Sequence, residues 1–84
     1  MVHELKTWEE YFRLVESGDK PFELRKNDRN FQVGHELLLR EYNHNTQTYT
    51  GRNLHRKITY ILQGKEAEIF GLKPGFCIMG LAEM

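Results

Sequence analysis

The chain carries little with which to build a disulfide, a metal centre or a membrane span. Cys77 is its one cysteine, so no intramolecular disulfide can form, and a reducing, cytoplasmic setting is expected. That cysteine stands in the apolar run "GFCIMGL", where packing rather than reactivity is the expectation. His3, His35, His44 and His55 fall on separate segments without paired ligand spacing, so neither a metal nor a cofactor is expected. The glycines stand singly, which removes the glycine-rich loop that cradles phosphates. Ser17 is the sole serine and lies at a helix end, a poor place for a nucleophile. No run approaches the roughly 18 apolar residues of a membrane span. "MVHELKTWEE" lacks the basic and apolar parts of a signal peptide, so no leader is expected. Net charge is missing too: 12 basic residues balance 12 acidic ones. A broad basic nucleic-acid surface is thereby disfavoured, although a local basic stripe is still permitted.

What is present suits one small domain spanning residues 1–84, with 39% hydrophobic residues to build a core. "VHELK" reads as a short strand. "TWEEYFRLVESG" reads as a helix from Thr7 to Ser17, with Thr7 and Glu10 forming a capping box. Trp8, Tyr11, Phe12 and Val15 recur at helical spacing and predict one apolar face; Gly18 predicts the stop. Beyond it, "FELRK" alternates as a strand with Phe22 and Leu24 toward the core and Glu23 and Arg25 away from it. A further strand is expected from Glu36 to Tyr42, then a hairpin loop at "NHNTQT" and a long strand bulged at Gly51. "KEAEIFGL" reads as a short helical segment, "KPG" as a type II turn, and "FCIMGLA" as a strand buried on both sides. One N-terminal helix with about five strands predicts a mainly β, α+β fold: a small, mostly antiparallel pseudo-barrel.

The densest chemistry is in "GDKPFELRKNDR", where seven of twelve residues are charged. Lys20, Glu23, Arg25, Lys26 and Arg29 share one strand and its turn. Arg40, Arg52, Arg56 and Lys57 lie on the strands after it. Converging arginines would offer paired donors to phosphate. The same residues also suit a solvated face of cross-strand ion pairs, each contributing about 0–1 kcal/mol.

"SGDKPFELR" resembles the Gly-x-Lys-x-x-Glu-x-Arg signature of the ASCH domain (activating signal cointegrator homology), with Gly18, Lys20, Glu23 and Arg25 at its four positions. The flanks "HELKTW", "RKNDRNFQVG", "LLLREY" and "YTGR" resemble a small bacterial and phage branch of that superfamily. The resemblance implies the PUA-like pseudo-barrel, with a cleft between helix and barrel that binds RNA or a nucleotide-like ligand, in a role in RNA metabolism or in regulating translation or transcription. It implies that Lys20 and Arg25 engage phosphate or ligand oxygen and that Glu23 accepts from a base or orients the lysine. Lys6, Asp28, Arg29, Arg40 and Arg52 are expected along the rim. Some relatives are amidohydrolases acting on acetylated cytidine through a lysine and a threonine three residues later; Lys20 is present here, but Glu23 occupies the threonine position. A binding domain is therefore the expectation. A small enzyme acting on RNA or a modified nucleoside, with Lys20 and Glu23 as its catalytic pair, is the alternative.

Overall fold

Alternate residues of the first segment turn inward, so that His3, Leu5 and Thr7 are buried while Val2, Glu4, Lys6 and Trp8 face out. This is strand β1, Val2–Trp8, in a computed structural model that describes residues 1–84. It leads into helix α1 (Glu9–Ser17), which is followed by β2 (Phe22–Lys26), β3 (Glu36–Asn43), β4 (Thr48–Leu62), a five-residue helix α2 (Lys65–Ile69) and β5 (Phe76–Ala82). The strands make one curled sheet in the order β1-β3-β4-β5-β2. Three of its pairings are antiparallel and β1–β3 is parallel. A parallel pair needs a long crossover, and α1, β2 and the turn after it supply one. The result is the mainly β pseudo-barrel with α1 packed on it.

The core is a single cluster in which Phe12 and Val15 of α1 meet Leu5, Phe31, Leu37, Leu39, Ile58, Cys77 and Met79. Local signals set many of the boundaries. Gly18 ends α1 in the left-handed conformation, its N–H bonded to the Val15 carbonyl at 3.1 Å. Between Arg40 and Tyr42 of β3, β4 advances from Asn53 to Tyr49, a bulge that contains Gly51 at φ 93°. The turn Lys73–Phe76 closes with a 3.1 Å bond from the Phe76 N–H to the Lys73 carbonyl, with Gly75 at φ 84°, as type II geometry requires.

Four expectations need correction. The helix starts at Glu9, not Thr7, and no side chain caps it. Thr7 pairs with Glu41 in the β1–β3 ladder, so strand pairing claims the residue that the capping box needed. Glu9 and Glu10 still complement the positive end of the helix dipole. Second, the helix buries Phe12 and Val15 only, while Trp8 and Tyr11 are nearly half exposed. Third, the faces of β2 are reversed: Glu23 is buried at 3% exposure, while Phe22 and Leu24 are exposed at 41% and 52%. The register explains this, because Glu23 and Arg25 lie opposite Met79 and Cys77, the core-facing residues of β5, whereas Phe22 and Leu24 lie opposite Gly80 and Ile78. Fourth, β5 is buried on one face and only half-buried on the other.

Candidate functional site

β1 and β2 are the two edges of the sheet, and no backbone ladder joins them. The gap is bridged instead by side chains reaching from β2 and its turn to the open carbonyls of β1. The Arg25 guanidinium donates to the Lys6 carbonyl at 2.8 Å and approaches the Thr7 hydroxyl at 3.4 Å. Arg29 donates to the Glu4 carbonyl. Two residues apart on a strand, these carbonyls point to the same edge.

Beside the bridge, a cleft of about 460 Å³ opens between the sheet edges and α1. Its lining comes from Lys6, Thr7 and Trp8 of β1, Tyr11 of α1, Lys20, and Phe22, Glu23, Leu24 and Arg25 of β2. The polar centre is a three-residue row. Lys20 Nζ donates to Glu23 Oε1 at 2.8 Å, and Arg25 Nε donates to Glu23 Oε2 at 2.9 Å. The Glu23 side chain is only 4% exposed, against 17% for Lys20 and 28% for Arg25. The carboxylate is thus at the bottom of the row, and the cations reach toward water. Lys20 is also anchored through its backbone N–H to the Leu14 carbonyl at 3.0 Å. Its ammonium lies 5.2 Å from the Phe22 ring centre and 5.6 Å from that of Tyr11, within the range of cation–π attraction.

Chemically, the row has capacity to spare. Lys20 uses one of its three donors on Glu23, the Arg25 Nη1 group has no partner within the protein, and each Glu23 oxygen retains a lone pair. Three cations (Lys6, Lys20 and Arg25) face one carboxylate in the lining, so the cleft is locally positive in a chain of zero net charge. Trp8, Tyr11 and Phe22 add partly exposed rings beside these charges.

Of the residues expected at the site, Lys6, Lys20, Glu23 and Arg25 come together in this lining; the other four lie elsewhere. Asp28 is exposed in the turn after β2, where its N–H bonds to the Lys26 carbonyl. Arg29 is engaged at the bridge. Arg40 lies over the Tyr49 ring at 4.0 Å and 3.8 Å from Glu4. Arg52 pairs with Glu16 of α1 and lies 3.6 Å from the buried Glu41, whose other oxygen accepts from Thr50 at 2.6 Å. For Arg40 and Arg52 the ion-pair reading of the sequence therefore describes the arrangement. The aromatic lining departs from the sequence pattern, because helical periodicity and strand alternation assign Trp8, Tyr11 and Phe22 to the core. The available signal was a pair of apolar residues in the most charged stretch of the chain, where a polar-flanked edge strand can expose them.

The comparisons with known proteins give a family and a phage relative. Over 58 residues the chain is 41% identical to the "Uncharacterized 12.9 kDa protein in GpA 3'region" of Escherichia phage P2, an alignment covering 69% of this chain and 51% of that protein. The chain thus spans about half the length of the curated relative it matches. The family model that matches, described as "Domain of unknown function (DUF3850)", extends over residues 2–81 and so takes in both sheet edges, α1 and the whole cleft lining. The chain belongs to the DUF3850 family.

Proposed function

We propose that this protein is an ASCH-like, PUA-like domain that binds RNA or a nucleotide-like ligand in the cleft between β1, β2 and α1. The carrying observation is the buried Glu23, held by Lys20 and Arg25 at 2.8 and 2.9 Å on the floor of an aromatic-lined cleft. A base has rings to stack on, the floor offers both donors and an acceptor to its edge, and the surplus cations suit a phosphate. The neutral chain keeps the electrostatic part small, so affinity for RNA should be modest and salt-sensitive, with Kd on the order of 10⁻⁴–10⁻⁶ M. Binding rather than hydrolysis is favoured because each Glu23 oxygen already accepts from a cation, which blunts the carboxylate as base or nucleophile.

Trp8 is the single tryptophan and lines the cleft, so its fluorescence reports occupancy directly. Titration with cytidine 5′-monophosphate and with a single-stranded RNA octamer should quench it. Phe22→Ala and Lys6→Ala should weaken both titrations at an unchanged melting temperature, since both side chains are exposed. Absence of quenching at millimolar ligand, or full binding by both variants, would overturn the reading. Products from acetylated cytidine and from RNA should be followed by chromatography in parallel. Turnover lost in Lys20→Ala would replace binding with catalysis.

A further inference from the structure

We infer that the outer face of β1, β3 and β4 is a track for a single-stranded RNA chain leaving the cleft. The inference rests on the proposed cleft and extends it from one nucleotide to a strand. Strand register puts Trp8, Tyr42 and Tyr49 in one row across three neighbouring strands, with Lys6, Arg40 and Asn53 in the adjacent row. Cations and rings alternate there in contact: Lys6 Nζ lies 4.3 Å from the Tyr42 ring centre, and the Arg40 guanidinium lies 4.0 Å from that of Tyr49. Tyr42 and Tyr49 meet edge to face at 5.1 Å. Trp8, stacked on His44 at 4.1 Å, and Lys6 belong to both the cleft lining and this face, so the two surfaces are continuous.

Aromatic rings interleaved with basic side chains suit single-stranded nucleic acid, because every base has a face to stack and every link a charge to neutralise. Lysine is depleted at the centre of protein interfaces, and Lys6 stands within these rows beside Tyr42. With neighbouring strands about 4.8 Å apart, Trp8 and Tyr49 stand roughly 10 Å from each other, room for separate bases. The acids nearby are exposed and movable: Glu4, 3.8 Å from Arg40, is 64% exposed, and Glu10, 3.5 Å from His44, is 57% exposed. A phosphate can displace them cheaply.

The test compares cytidine 5′-monophosphate with an RNA hexanucleotide on the wild type, Tyr49→Ala, Arg40→Ala and Phe22→Ala. The hexanucleotide should bind more tightly than the monophosphate. Tyr49→Ala should weaken hexanucleotide binding by roughly 5- to 150-fold, the effect of losing one stacked base, while monophosphate binding stays as in the wild type. Arg40→Ala should make the log–log salt slope for the hexanucleotide shallower by about 0.7, the contribution of one single-strand phosphate contact. If the monophosphate binds and the hexanucleotide binds no better, or Tyr49→Ala changes neither, the track is refuted and the cleft reading stands. If hexanucleotide binding depends on Tyr49 and not on Phe22, the face holds RNA without the cleft, and both the cleft reading and the path from cleft to face fail. If neither probe binds, both fail. Self-association abolished by Tyr49→Ala, with no RNA binding, makes the face a protein interface instead.

Discussion

Replacing Arg25 with alanine should destabilise this protein more than neutralising the carboxylate it serves. The substitution removes the 2.9 Å bond to Glu23 Oε2, the 2.8 Å bond to the Lys6 carbonyl and the 3.4 Å approach to Thr7. Stranding one member of a buried ion pair costs roughly 3–5 kcal/mol. Two features reduce that here: Lys20 still bonds Oε1, and the Arg25 side chain is 28% exposed, so water can enter where it stood. A loss of about 2–3 kcal/mol follows. Glu23→Gln keeps one acceptor for one of the two cations, while its amide nitrogen turns the other away toward the solvent that both already reach, so about 1 kcal/mol is expected. For a domain of this size, each 1 kcal/mol corresponds to roughly 4–8 °C in melting temperature. Urea unfolding followed by far-ultraviolet circular dichroism at pH 7 gives both values directly. Equal costs, or a loss below about 0.5 kcal/mol for Arg25→Ala, would refute the argument, because the pair would then behave as a surface salt bridge. The ordering also governs how binding is tested: an Arg25 variant that binds nothing has also lost part of its fold.

Two further outcomes follow from the core and its edge. Phe12→Ala empties a fully buried site under α1 and should cost roughly 3–5 kcal/mol in the same urea assay; a loss under about 1 kcal/mol would mean that α1 is not held through this ring. Burial first, then the charges of His35, Arg29 and the N-terminus, hold the His3 pKa below its ordinary 6.5, so the unfolded chain takes up a proton that the folded one refuses. Stability should therefore be complete above about pH 6.5 and decline as the pH falls through the lower folded value, a decline absent in His3→Gln; a flat profile from pH 7.5 to 5.5 would contradict it.

Features set by neighbouring residues were legible in the sequence. The Gly18 stop, the Gly51 bulge, the turn at Pro74–Gly75 and the element order all follow from backbone chemistry within a few positions. Features set by distant pairing were not. Alternation in "FELRK" divides β2 into two faces but does not say which is inward; the register with Cys77 and Met79 decides that. Thr7 and Glu10 satisfy the capping-box spacing, yet the parallel ladder extends β1 to Trp8 and the helix starts later. Helical periodicity grouped Trp8 and Tyr11 with Phe12 and Val15, but a nine-residue helix at the rim of a barrel turns only part of that stripe inward. Lys20, Glu23 and Arg25 come together because all three lie on one short segment. Arg40 and Arg52 sit on other strands, and their partners Glu4, Glu16 and Glu41 are distant in sequence, so no local pattern pointed to them.

The way the sheet closes links its stability to the cleft. A fifth ladder between β1 and β2 would satisfy both edges, but it would bring their backbones to about 4.8 Å and leave no space between them. Arginine side chains span a wider gap and still satisfy the Lys6 and Glu4 carbonyls, which a bare edge would leave to water or to another chain's strand. An arginine turned inward on β2 then needs an anion to hold it, and Glu23, two residues earlier on the same face, meets that need with Lys20 on its other oxygen. With Glu23 and Arg25 facing inward, alternation turns Phe22 and Leu24 outward, and both join the cleft lining. The charged stretch of this otherwise neutral chain is therefore concentrated where the barrel is closed by side chains instead of backbone. A positively charged, aromatic-lined opening is what that mode of closure leaves behind.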